Sequence, residues 1–158
     1  MSETYRNGVL DLYQGEVYGE GLFSAMVARA AHPLRRRQFE VMLQYESETK
    51  IRLRPLLARL GLPLEEHASA RAAGLARGAH YAALPWPDFL SEFHASIRRY
   101  IADYEAIAAL GPPSDQSILR SMVEHEQAFL WYLERELAGD SQHSLERIVG
   151  LLQHPLPA

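Results

Sequence analysis

The stretch Val123-Glu124-His125-Glu126-Gln127 puts ionisable groups where a helix should be apolar. Counted in alternating steps of three and four, Asp115, Leu119, Met122, Glu126, Phe129, Leu133 and Leu137 form one helical stripe, so Glu126 points inward. The same count over the first helical stretch gives Val9, Tyr13, Glu16, Glu20, Phe23, Val27 and Ala30, with two acids one turn apart. Over the second it gives Phe39, Met42, Glu46, Thr49, Leu53, Leu56 and Leu60. Four glutamates from three helices thus face one interior. An ionised carboxylate inside a protein costs several kcal/mol (order of magnitude) unless it is paired or bound to a metal. Glu16, Glu20, Glu46 and Glu126 therefore point to a metal site or to a cluster that shares protons. Any one of them, taken alone, has the alternative of lying at the seam edge and snorkelling to water.

The chain contains no cysteine, which removes disulfides, thiolate metal sites and cysteine nucleophiles together. Any metal must be held by oxygen and imidazole, a donor set suited to iron or manganese. Two histidines are close enough in sequence to contribute. His125 adjoins Glu126 at the seam edge and either joins the site or lies between the third and fourth bundle helices; His94 falls within a turn of the right level on the third. Tyr13, Tyr18, Tyr45, Tyr100 and Tyr104 have helical spacing, which suits core packing or the lining of a cavity.

Helical periodicity from about 7 to 31 carries Gly15, Gly19 and Gly21, each costing on the order of 1 kcal/mol relative to alanine. Close approach of a neighbouring helix or a ligand is the usual reason for such glycines. Pro33 breaks this helix from a second, at about 34–60, that ends at Gly61-Leu62-Pro63. Pro55 lies inside the second helix and predicts a kink in its last turns. The small-residue segment 61–87 is long enough to cross a bundle, partly as helix over Glu65 to Arg77. Asp88 is placed to cap a third helix that runs to about Leu110, and Ser114 a fourth that ends at Gly139; a short fifth spans about 144–152. Two short-turn helical pairs joined by one long crossover make an all-α, four-helix bundle across 1–158 as one domain.

At 158 residues, with 47% hydrophobic content, the chain can bury a real core without a partner. A net charge of -4 with mixed signs gives no electrostatic footprint for nucleic acid, and Arg35-Arg36-Arg37 reads as a solvated helix face. There is no apolar leader at the N-terminus and no apolar run near the roughly 18 residues of a membrane span, so a cytoplasmic location is expected. Bundles of this size are often oligomers, and a homodimer is one expectation, with no interface specified.

The arrangement resembles the ferritin-like superfamily of four-helix carboxylate proteins. That family has one Glu on its first helix, Glu-x-x-His on its second, one Glu on its third and Glu-x-x-His on its fourth, around two iron or manganese ions. Matched residue by residue, Glu16, Glu46 and Glu126 fall on ligand positions; Thr49 and Phe129 stand where the two histidines would be. Glu20 and His125 are the nearest replacement donors. The resemblance implies a metal-dependent oxidoreductase or oxygenase using iron or manganese on a small-molecule substrate. Two other readings stand beside it. One is a ferritin-like binding or interaction protein that has lost its metals, with a hollow beside the glycines of the first helix; the other is a metal-free enzyme using paired glutamates as acid and base.

Overall fold

The computed structural model describes residues 1–157, and among these all regular structure is helical. The helices are α1 (Glu3–Arg29), α2 (Pro33–Arg59), α3 (Ala68–Ala83), α4 (Trp86–Leu110), α5 (Gln116–Leu137) and α6 (Glu146–Leu151), with a 3-10 turn at Pro113–Asp115 before α5. No helix among the described residues is long and apolar enough to cross a membrane.

Side-chain contacts fix the directions. At one end the Arg6 guanidinium donates to the Leu60 carbonyl, and the Tyr5 hydroxyl donates to Asp115 at 2.7 Å, so the start of α1 meets the end of α2 and the start of α5. Further along, Phe23 of α1 stacks on Phe129 of α5 at 5.6 Å and meets Phe93 of α4 edge-on at 6.0 Å. Ile107 of α4 lies over Gly8 and Tyr104 over Gly15. Helices α1 and α5 therefore run one way, and α2 and α4 the other. Helix α3 lies along α1 in the same direction, returning the chain from the far end of α2 to the start of α4.

Glycine makes that last pairing possible. A Cβ on Gly74 would collide with the Tyr18 carbonyl, one on Gly78 with the Leu22 carbonyl, and one on Gly21 with the Arg71 carbonyl. The backbones of α1 and α3 are in contact because side chains are absent at these points. Gly21 is thus explained by a helix.

Local chemistry moves several predicted boundaries. Helix α1 begins at Glu3, ahead of residue 7, because the Ser2 hydroxyl caps it by accepting from the Tyr5 N–H at 3.2 Å. Helix α2 continues through Pro55 to Arg59. The crossover helix starts at Ala68 and ends at Ala83, later than Glu65 to Arg77, because Glu65 and His67 bond instead to the Gln14 side chain. Asp88 lies in the first turn of α4, after the capping position, which Pro85 occupies. Ser114 does not cap a helix; its hydroxyl donates to Asp115 at 2.9 Å within the 3-10 turn. The small terminal helix is the sixth, since the crossover contributes one of its own.

The core has two lobes. One is aromatic and includes Phe23, Tyr45, Phe89, Phe93 and Phe129; the other is built from Tyr5, Leu12, Leu53, Leu57, Leu119 and Met122. The ionisable cluster lies where they meet.

Candidate metal centre

Glu16 comes from α1, Glu46 from α2, and His125 and Glu126 from α5, with at most 6% exposure at any of the four. His125 Nε2 bonds to Glu46 Oε2 at 3.2 Å and lies 3.3 Å from Glu16 Oε2. Glu16, His125 and Glu126 each offer a ligand atom within 4.8 Å of the others. Two helices thus bring two carboxylates and one imidazole within ligand range of one another, and Glu46 joins them from α2 through His125 Nε2. Glu16 Oε2 and Glu126 Oε2 are buried there without a hydrogen-bond partner.

Each member is held by packing. Tyr45 stacks on the His125 ring at 4.2 Å, and Phe129 meets that ring edge-on at 5.2 Å. Thr49 Oγ1 lies 2.9 Å from His125 Nδ1 and accepts from the Arg52 guanidinium at 3.3 Å. Thr49 of α2 therefore orients the imidazole that α5 supplies. Its position one turn after Glu46 was visible in the sequence; its role needed the partner on α5. Tyr104, from α4, is the neighbour that works to lower the Glu126 pKa against burial. Gly19 lets the Glu46 carboxylate lie against α1, where a Cβ would meet it, and Gly15 makes room for the Tyr104 hydroxyl.

Burial pushes Glu16 well above the usual carboxylate range, and the charge of neighbouring Glu46 adds to the shift. Burial raises Glu46 to about 8, against a hydrogen bond with Glu16 and with help from the Glu126 and Glu20 charges. Burial also drives Glu126 well up, with Glu16 adding to it. His125 moves the opposite way, to about 4, because burial disfavours imidazolium. Burial thus disfavours the charged form of every member of the cluster.

Two predicted donors lie elsewhere. Glu20, although only 9% exposed, is turned away from Glu16: its Oε1 lies 2.5 Å from Lys50 Nζ, and Oε2 accepts from the Ser47 hydroxyl at 2.8 Å. Lys50 continues to Glu66 at 2.5 Å, so this acid ties α2 to the crossover. A lysine competing for Glu20 is a signal that seam counting missed. His94 lies outside the cluster, 3.9 Å from Glu134. The Tyr13 hydroxyl donates to the Leu64 carbonyl at 3.0 Å, a structural contact with the crossover.

A cleft of about 360 Å³ opens between α1 and α4 beside this cluster, and Glu46, Gly15, Gly19 and Tyr104 all line it. The donor set fits one divalent ion. It is short for two, because α4 supplies the phenol of Tyr104 in place of an acid and Phe129 can donate nothing. No family model matches the chain, and neither a curated protein nor a solved structure matches it.

Proposed function

We propose that this chain is a ferritin-like carboxylate bundle that binds iron or manganese among Glu16, Glu46, Glu126 and His125 and oxidises a small molecule seated in the α1–α4 cleft. The observation that carries the reading is the buried group Glu16, His125 and Glu126, whose ligand atoms lie within 4.8 Å of one another and in which Glu16 Oε2 and Glu126 Oε2 make no hydrogen bond. Leaving two such acceptors unpaired costs on the order of 1–3 kcal/mol each, more when charged, and a cation offsets that cost. The order of helix directions, with a crossover along the bundle between α2 and α4, supports the ferritin-like part.

A bound iron or manganese ion would supply Lewis acidity and redox chemistry at that point. The chain's own residues do the rest. Thr49 holds His125 Nδ1, which leaves Nε2 facing the glutamates. Glu46 belongs to both the cluster and the cleft, so a molecule in the cleft lies against a ligand residue. Tyr104 lines the cleft and also lowers the Glu126 pKa, so it is the phenol nearest to both the cluster and a bound molecule. Tyr45 and Phe129 cover the α2–α5 side of the cluster by packing on the His125 ring.

The test is a titration of chelator-stripped protein with manganese or iron, read by thermal unfolding and elemental analysis. At a hundredfold excess over Kd, binding stabilises by about 2.7 kcal/mol, a rise of roughly 5–10 °C for a chain of this size. An unchanged melting temperature with no retained metal would sink the metal reading. The raised carboxyl pKa values favour a second reading, a metal-free binding protein whose cluster is neutralised by protons. That reading predicts the flat titration.

A further inference from the structure

The α1–α4 cleft has a polarity along its length. It follows α1 from Asp11 to Phe23, about 18 Å at ~1.5 Å per residue. At one end Phe23 and Phe93 are buried and close it with aromatic surface. Toward the other end Asp11 and Asp103 are both exposed on its walls, near the level where Tyr104 crosses Gly15 and Ile107 crosses Gly8. Between the two lie the rings of Tyr18, Tyr100 and Tyr104 and, against Gly19, the Glu46 carboxyl, and no lysine or arginine lines the cleft.

Each feature selects against some ligands. The aromatic end takes an alkyl or aryl chain and offers no partner to a polar group. A carboxylate or phosphate head would meet two aspartates without a cation to receive it. An ammonium head gains from both aspartates and from the negative faces of the tyrosine rings. The volume and the length together suit a long, thin molecule.

We propose that the cleft binds an elongated primary amine, with its apolar chain toward Phe23 and Phe93 and its ammonium at Asp11 and Asp103. This names the substrate class of the cleft and rests on the reading that the cleft is a ligand site. It does not depend on metal, because the binding surfaces belong to the chain.

The experiment uses metal-free full-length protein and three probes with one tail and different heads: decylamine, decanol and decanoate, followed by calorimetric titration. Decylamine should bind at least about tenfold more tightly than decanol, and decanoate most weakly. The double substitution Asp11→Asn with Asp103→Asn, at exposed positions that folding tolerates, should erase the amine preference while leaving decanol affinity unchanged. Ile97→Trp, which fills the cleft, should weaken decylamine and decanol together; Leu12→Phe repeats that test should Ile97→Trp fail to fold. Equal affinity for the three heads, preference for decanoate, absence of binding by all three, or an amine preference that survives the double substitution would each overturn the proposal. Metal binding is read separately by the manganese titration, so failure of the amine leaves the metal centre standing, and failure of the metal leaves the amine site standing.

Discussion

Two buried acid sites in this molecule receive opposite treatment. Asp115, fully buried at the start of α5, is surrounded by donors: the Tyr5 hydroxyl at 2.7 Å, the Ser114 hydroxyl at 2.9 Å and the Arg59 guanidinium at 2.7 Å. Burial alone would raise its pKa, but the hydrogen bonds from Tyr5, Arg59 and Ser114 win, and its carboxyl lies below the usual range. Glu16 and Glu126, across the junction of the two core lobes, each keep one buried oxygen without a partner, and burial pushes both up. Satisfied acids also occur at Glu136, which accepts from Gln38, Ser141 and Ser144. This chain readily builds partners for structural carboxylates. It withholds them from one oxygen each of Glu16 and Glu126, on two helices facing one histidine.

Substitution at the two sites should therefore differ in sign. Asp115→Ala strands the buried Tyr5 hydroxyl and releases Arg59 at the junction of three helices, and should cost about 3 kcal/mol by equilibrium denaturation. Glu126→Gln keeps shape and removes a carboxylate from a crowded cluster. In metal-free protein its stability should hold or rise, while the gain on adding manganese should disappear. A loss from Glu126→Gln as large as that from Asp115→Ala, equal with and without metal, would erase the distinction and make Glu126 a structural acceptor.

The pH dependence sharpens the same contrast. Unfolded glutamates release their protons near the ordinary value of 4.5, whereas native Glu46 keeps its proton to about 8, and Glu16 and Glu126 are also raised. Over that window the native state binds more protons than the unfolded state, so the stability these groups contribute is full below about 4.5 and falls as pH rises. His125 works the other way in a lower window. With its native value near 4 and an ordinary value of 6.5, it makes stability climb between those two. Above about 6.5 only the glutamates remain, each proton being worth up to about 1.4 kcal/mol per pH unit. Denaturation of the metal-free protein at pH about 7 and about 8 should show a fall of about 1 kcal/mol, flattened by Glu46→Gln and by bound metal. A flat profile over that interval would show that the cluster is ionised in the native state.

Much of this was legible in the helical count, and the misses have one cause. Periodicity states which face a residue occupies, so Glu16, Glu46 and Glu126 were placed inward from the sequence, and all three are buried. It does not state what crosses from the facing helix. Thr49 counted as a missing ligand until His125 appeared 2.9 Å from it, and Lys50, one residue on, neutralises Glu20 through a contact no single-helix count contains. Leu137 continues the α5 stripe yet is exposed, because it is the last residue of α5. Gly74 and Gly78, in the small-residue crossover segment, are the close-packing face of α3, which the sequence of α3 alone does not state. Caps followed the same logic: Ser2 caps α1 by a local bond, whereas Ser114 is taken by the neighbouring Asp115.

The smallest expected effect divides two glutamates one turn apart. Glu16 and Glu20 occupy the same stripe of α1, yet Glu16 faces His125 and Glu20 faces Lys50. In Glu20→Gln, Lys50 keeps Glu66 at 2.5 Å and Ser47 keeps an amide partner, so the fold should lose only about 1 kcal/mol or less. Metal affinity should change by no more than about twofold, since Glu20 points its charge into an ion pair already formed. Glu16→Gln, by contrast, should abolish the metal-dependent rise in melting temperature. Measuring the manganese titration on both variants separates position on a stripe from membership of a site. If Glu20→Gln lost metal as completely as Glu16→Gln, Lys50 would have to swing away on metal binding, and the centre would take all four glutamates after all.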